Sequence, residues 1–259
     1  MEFLNLIFLF IAAILGSSLN AVAGGGGFIS YPSLILCNIP SINANGIGTV
    51  ALWPGNIASA KAYQKDINLS ISSLIMLIIS ISGGGLLGAY LFINTSSRVF
   101  DGFVPFFLLS TWLLFVFSNK LRSYFSNKLE SFSFEDANII HLISIFFIGI
   151  YGGYFGAGLG MILLTAFSII GLKNLNEMNG IKVILVSFNN GIAAFTFILS
   201  GIVIWQYAIV MLVGALIGGF YGAKIARKIE QQKLKNFIIW VGAIITIVFF
   251  YKEYFKNFI

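Results

Sequence analysis

The sequence predicts an all-α integral membrane protein of about eight transmembrane helices, built as two four-helix repeats. Three observations carry this. First, the 259 residues are 58% hydrophobic and only 9% charged, with a mean hydropathy of +0.96; soluble domains carry about 25% charged residues. Second, long stretches hold no Lys, Arg, Asp or Glu: Phe3 to Ala60, Leu69 to Ser97, Gly102 to Asn119, Ala137 to Leu172, Val183 to Ala223 and Asn236 to Tyr251. A span needs ~20 mostly apolar residues, so several stretches are long enough for two crossings. Third, two glycine clusters interrupt the most apolar parts, Ala23-Gly24-Gly25-Gly26-Gly27 and Gly156-Ala157-Gly158-Leu159-Gly160.

The first span is expected over Phe3 to Leu36 and is broken by the first cluster. The second runs from Ala44 to Ala62, the third from Ser70 to Ile93 and the fourth from Val99 to Phe117. A polar linker with Lys120, Arg122, Lys128, Glu130, Glu135 and Asp136 follows. It separates a first repeat (1–118) from a second (137–259), the linker itself being 119–136. The fifth span, Ile139 to Ile170, is broken by the second cluster. The sixth covers Gly180 to Leu199, the seventh Ile202 to Ala223 and the eighth Phe237 to Tyr254. Spans one and five exceed one crossing, so helices 1 and 5 are read as broken or re-entrant.

Internal repetition is written in the residues. Asn45-Gly46-Ile47 matches Asn179-Gly180-Ile181, Asn56 matches Asn190, and Gly84-Gly85 with Gly88-Ala89 matches Gly218-Gly219 with Gly222-Ala223, all at one spacing. The glycine clusters align with a one-residue shift, Gly25 with Gly158 and Gly27 with Gly160. Four crossings per half would make the halves parallel. An odd number would invert them, so the nature of the breaks decides the symmetry.

Glycine costs about 1 kcal/mol relative to alanine inside a helix. Broken backbone at membrane depth is tolerated only where protein buries it or where it lines a cavity. Paired breaks in corresponding halves are therefore the pointer to a transporter's binding site. A helix restarting after a break presents backbone N–H groups, which suit an anion. Gly25, Gly26, Gly27, Gly158 and Gly160 are candidate site residues on this ground. The Gly84/Gly88 and Gly218/Gly222 pairs read instead as close helix packing.

Lys182 sits inside the sixth span, where an ammonium costs ~2.5–3.5 kcal/mol unless it snorkels. Either it reaches the interface or it serves an anion in the cavity. Its repeat counterpart is Gly48, so such a site would be asymmetric. Asn45, Asn56, Asn179, Asn189 and Asn190 either bond between helices or donate to an oxyanion.

Other chemistries lack their residues. The single histidine, His141, cannot form a metal site alone. No nucleophile–base pair and no phosphate-binding loop is present, so neither an enzyme nor an ATP-driven pump is expected, and no cofactor. The single cysteine, Cys37, cannot form an internal disulfide. The N-terminus has no basic n-region, so no cleavable signal peptide is expected. The formal charge of +6 falls in short loops beside spans, where membrane proteins accumulate Lys and Arg; nucleic acid is not an expected partner. The densest basic loop, Lys224 to Lys235, would be cytoplasmic, with the central linker arguing the other way.

The run Ala23 to Pro32 with Gly48-Thr49, and then Gly156 to Gly160 with Asn179-Gly180-Ile181-Lys182 and Asn190, resembles the sulfite exporter TauE/SafE family. The likeness covers nearly the whole chain, with departures at Thr165, which stands where the first half has Pro32, and at Trp53-Pro54-Gly55. It implies a multi-pass carrier in the bacterial inner membrane for a small anion, a sulfur oxyanion or organosulfonate. Its partners would be that anionic solute and the lipid bilayer, with a homo-oligomer left open. The alternatives are a transporter of a different small solute and a non-transporting membrane scaffold or assembly factor.

Overall fold

The computed structural model describes residues 2–63, 66–126, 139–170, 172, 174–226 and 231–255. Among these the secondary structure is helical throughout. The helices are α1 (Glu2–Ala23), α2 (Gly27–Leu36), α3 (Ser41–Tyr63), α4 (Ile71–Ile93), α5 (Ser97–Ser126), α6 (Ile139–Tyr154), α7 (Leu159–Ile170), α8 (Leu175–Leu199), α9 (Trp205–Ala226) and α10 (Gln231–Phe250), which closes in a π turn over Tyr251–Phe255. Five segments, within α1, α4, α5, α8 and α9, are long and apolar enough to cross a membrane; α2, α6 and α7 are shorter and apolar. Of the linker expected at 119–136, the first residues continue α5 as far as Ser126. The remainder lies outside the described residues.

The first glycine cluster ends α1 and starts α2, and the chain folds back there. On one continuous helix Gly16 and Ser30 would be about 21 Å apart at 1.5 Å per residue. A Cβ placed on Gly16 would instead lie 3.8 Å from the Ser30 backbone nitrogen. Gly24, with φ +78°, makes the turn, in the left-handed region that favours glycine. The second cluster does the same between α6 and α7, with Gly156 and Gly158 at φ +73° and +78°.

Counting α2 and α7 as segments gives each half an odd number, and the helices confirm the consequence. Asn43 at the start of α3 donates to the Ile202 carbonyl just beyond α8 (2.7 Å). Gly180 near the start of α8 packs against Tyr63 at the end of α3. The repeat-related pair α3 and α8 is therefore antiparallel, and the halves are inverted about an axis in the membrane plane. The parallel arrangement that follows from four crossings per half does not hold, because the re-entrant segments change the parity.

Inter-half packing comes in related pairs, α1 against α9 and α6 against α4, then α3 against α9 and α8 against α4. Small residues set the approach. Gly84, Gly88 and Gly153 place α4 backbone against α6 backbone, and Gly218 and Gly222 place α9 against α1. Ser59 donates to Gly219 O (3.2 Å) between α3 and α9. Asn189 donates to Ile81 O and Gly149 O (3.0 Å each) between α8, α4 and α6.

Inversion reconciles the basic loops. The ends of α3, α5, α7 and α9 lie at one end of the bundle, so the α9–α10 loop and the central linker leave from the same side. Among the described residues, that end carries Lys61, Lys120, Arg122, Lys224, Lys233 and Lys235; the opposite end carries Arg98 and Lys252. The bias of Lys and Arg predicts that the first end faces the cytoplasm. Single cysteines at Asn38 and at Lys224 in a Cys37→Ala background should label from opposite sides of intact cells with a membrane-impermeant maleimide. Asn38 is expected to react from outside.

Candidate functional site

The two glycine breaks meet on the axis that relates the halves. A Cβ on Gly160 would lie 2.5 Å from Gly24 Cα, and one on Gly27 would lie 2.7 Å from Ala157 Cα. Gly25 is covered by Met161, Gly26 by Gly16 and Asn20, and Gly158 by Thr111 and Phe28. Most of the expected glycines are therefore where two backbones touch. Gly27 is the member of the set that also faces a cavity.

That cavity, about 40 Å³, lies between α2, α3, α8 and the α6–α7 turn. One water needs ~10–15 Å³, so it has room for a solute of a few heavy atoms. Its polar side chains are Asn20, Asn45, Asn190, Ser30, Tyr31 and Thr49, and among the described residues no charged one lines it. Phe155, Gly156 and Ala157 of the α6–α7 turn form part of the wall. The sequence-predicted Gly27, Asn45 and Asn190 are thus brought together. Asn20, Ser30, Tyr31 and Thr49 were not among the expected residues. Ser30 and Tyr31 carried a signal, since they follow Gly27 by three and four positions and so share its face of α2. Asn20 carried none, because its repeat counterpart is Gly153.

The other predicted residues do different work. Asn56 accepts from Asn20 Nδ2 (2.6 Å), and its own Nδ2 is buried without a protein partner. Asn189 holds α8 to α4 and α6. Lys182 is 1% exposed and does not snorkel to the interface. Its Nζ donates to Asn20 O (3.3 Å), Ala21 O (3.2 Å) and Asn179 Oδ1 (2.8 Å). An ammonium against the last carbonyls of α1 opposes the negative end of that helix. Lys182 therefore secures the first break without lining the cavity, whereas Asn20 belongs to both.

A second, wider cavity of about 320 Å³ opens at the end bearing the termini, lined by Asn38, Pro40, Ser41, Asp101, Lys252 and Glu253 among others. Tyr31 borders both cavities. Its ring stands edge-on to Phe100 (6.3 Å) and Phe155 (5.4 Å) and tilted against Phe249 (5.8 Å). One aromatic side chain thus separates an outer vestibule from the inner polar cavity.

Comparison with known proteins settles the family. The model of the sulfite exporter TauE/SafE family matches residues 9–249. The chain belongs to this family. It is similar to a probable membrane transporter protein of Haemophilus influenzae, 25% identical with 96% of this chain and 95% of that one covered. It is also similar to the probable membrane transporter protein YfcA of Escherichia coli, at 25% identity over 95% of this chain and 90% of that one. The probable membrane transporter protein YunE of Bacillus subtilis is 22% identical over 89% of this chain and 92% of its own. No solved structure matches. The protein is a multi-pass member of a membrane-transporter family.

Two outcomes follow from this geometry. Lys182→Met leaves Ala21 O and Asn179 Oδ1 without their donor, while Asn20 O still accepts from Gly24 N–H (3.0 Å), and each buried unsatisfied group costs ~1–3 kcal/mol. The variant should melt several degrees below the wild type in detergent. Tyr31→Ala should raise the modification rate of a cysteine at Thr49 by an impermeant reagent added from outside at least tenfold; an unchanged rate rejects Tyr31 as the barrier.

Proposed function

We propose that this protein is a secondary carrier of a small anion, of the sulfur oxyanion or organosulfonate class, and that the inner cavity is its solute site. The observation that supports this is the convergence of amides and hydroxyls from both halves on one small cavity beside the axis. Asn45 and Asn190 supply N–H donors; Tyr31 and Thr49 supply O–H donors, while the Ser30 hydroxyl donates to Gly26 O (3.2 Å). An oxyanion can accept several such bonds at once, and charge-assisted bonds are about twice as strong as neutral ones. The family's designation as sulfite exporters agrees with an oxyanion of this size.

Lys182 adds positive potential from behind Asn20 without touching the solute. A remote charge favours an anion while leaving the first contacts neutral, which permits release. For a cell negative inside, the potential drives an anion outward at ~2.3 kcal/mol per charge per 100 mV. Export through the vestibule behind Tyr31 needs no chemical energy source.

Proteoliposomes loaded with labelled sulfite test the reading, with taurine and sulfoacetate as parallel arms. Efflux should accelerate when a valinomycin potential is imposed negative inside. Asn45→Ala and Asn190→Ala should each slow it at least tenfold. Wild-type liposomes no faster than empty ones for every arm would reject a carrier of this class, and unimpaired Asn190→Ala would remove that amide from the site.

A further inference from the structure

The outer vestibule carries charge that the inner cavity lacks. Asp101, Glu253 and Lys252 line it, and Ile35, Val104 and Phe249 supply apolar wall. Two acidic side chains against one basic leave the described lining formally negative. Asp101 lies near the start of α5 and Glu253 in the π turn that follows α10. These two elements are fastened together. Tyr254 donates to Gly102 O (2.8 Å), and its ring stands edge-on to Phe106 (5.8 Å). The acidic side chains are therefore held at one mouth although they are 152 positions apart in the chain. Both charges act on the Tyr31 hydroxyl, and Tyr31 also borders the inner cavity.

We propose that Asp101 and Glu253 make the vestibule a charge filter: it favours cations over anions arriving from the outer end, and it weakens the hold of the inner cavity on an anion that enters from that side.

A cleft with low-dielectric walls focuses the field of its charges and changes the local concentration of ions inside it. Here the excess is negative, so anions are depleted in the vestibule and cations enriched. Lys252 offsets one of the two acidic groups. Its removal deepens the filter, and removal of both acidic groups leaves Lys252 alone and reverses the sign. The charges face water, so salt screens them: the Debye length falls from ~10 Å at 0.1 M to ~3 Å at 1 M. An anion held by the Tyr31 hydroxyl feels the same repulsion, because the charges act on that hydroxyl from the vestibule side. The second effect rests on the proposed carrier reading, in which the filter opposes the return of an exported anion. The charge preference of the vestibule does not rest on it.

A cysteine at Ile35, one turn beyond Tyr31 on α2, reports the field in the full-length protein in a Cys37→Ala background. Its modification rates by a cationic trimethylammonioethyl and an anionic sulfonatoethyl methanethiosulfonate are each divided by the rate with a free thiol in solution. The ratio of the two cancels the ionisation of the cysteine itself. At low ionic strength the cation should be favoured about fivefold, at the modest end of focusing effects. Lys252→Gln should raise that preference, and Asp101→Asn with Glu253→Gln should turn it into a preference for the anion. Salt at about 1 M should bring every ratio towards unity. Equal rates for both reagents at low salt overturn the filter, as does a cation preference that the double variant keeps. Sulfite uptake into proteoliposomes is scored separately, with sulfite added at the vestibule side. Its half-saturating concentration should fall several-fold in the double variant. A charge preference without sulfite transport sinks the carrier reading and leaves the filter; transport with no charge preference sinks the filter alone. A charge preference with an unchanged half-saturating concentration rejects the effect on the inner cavity.

Discussion

The contact on which the molecule depends is the crossing of two broken helices, Gly24 on Gly160 and Gly27 on Ala157. At each point the neighbour is backbone, so a methyl group would have no flexible side chain to displace. This explains why glycine is concentrated where it costs most as a helix former. Removing the side chains lets two chain reversals share one place, and each buries the other's irregular backbone away from lipid. The cavity is a by-product of the same crossing. Where Gly27 and Ala157 meet, α2 and the α6–α7 turn diverge, and the polar face of α3 fills only part of the gap.

Inversion makes the two ends of the crossing chemically comparable while sequence makes them different. At the α1 end the freed carbonyls meet Lys182, and that side is closed by an ammonium on a short tether. At the α6 end the Tyr154 carbonyl accepts from Asn45 Nδ2, and Gly48 stands at the position equivalent to Lys182 and lines the cavity. A carrier that exposes its site alternately to each side needs two related half-structures, which inverted repeats supply. It also needs the sides to be unequal if the solute is to be held by one and barred by the other. The single substitution of Lys for Gly at one repeat position provides that inequality.

Much of the membrane architecture was legible because the bilayer imposes it. Charge-free length, the glycine clusters and the Asn45/Asn179 and Asn56/Asn190 matches follow from covalent sequence, and all recur in the structure. Helix direction was not legible. Glycine clusters announce a break, but the sign of the turn is set by the left-handed φ at Gly24, Gly156 and Gly158, and one extra reversal per half converts parallel into inverted repeats. The candidate site was legible in part. Gly27, Asn45 and Asn190 were identified by position in the repeat. Lys182 and Asn189 were marked instead as polar groups inside a span, yet Lys182 Nζ and Asn189 Nδ2 donate to carbonyls of neighbouring helices. No sequence rule separates a buried amide that bonds a solute from one that bonds a helix; the difference lies in which face of α8 each residue occupies, and Asn189 and Asn190 are adjacent.

On the proposed reading of the cavity as an anion site, Lys182 would let it attract an anion without trapping it. A lysine in direct contact would form a charge-assisted bond that release must break in full. Here the ammonium already has three oxygen partners, so in that reading it would contribute potential while the cavity's neutral side chains make the contact. Coulomb attraction falls only as the inverse of distance, whereas hydrogen bonding is lost within an ångström or so. Moving the charge one residue back therefore keeps most of the selectivity for sign and removes most of the barrier to departure. The neutral amides and hydroxyls that remain in contact are groups water can replace, and replacement by water from the vestibule is what opening at Tyr31 would allow.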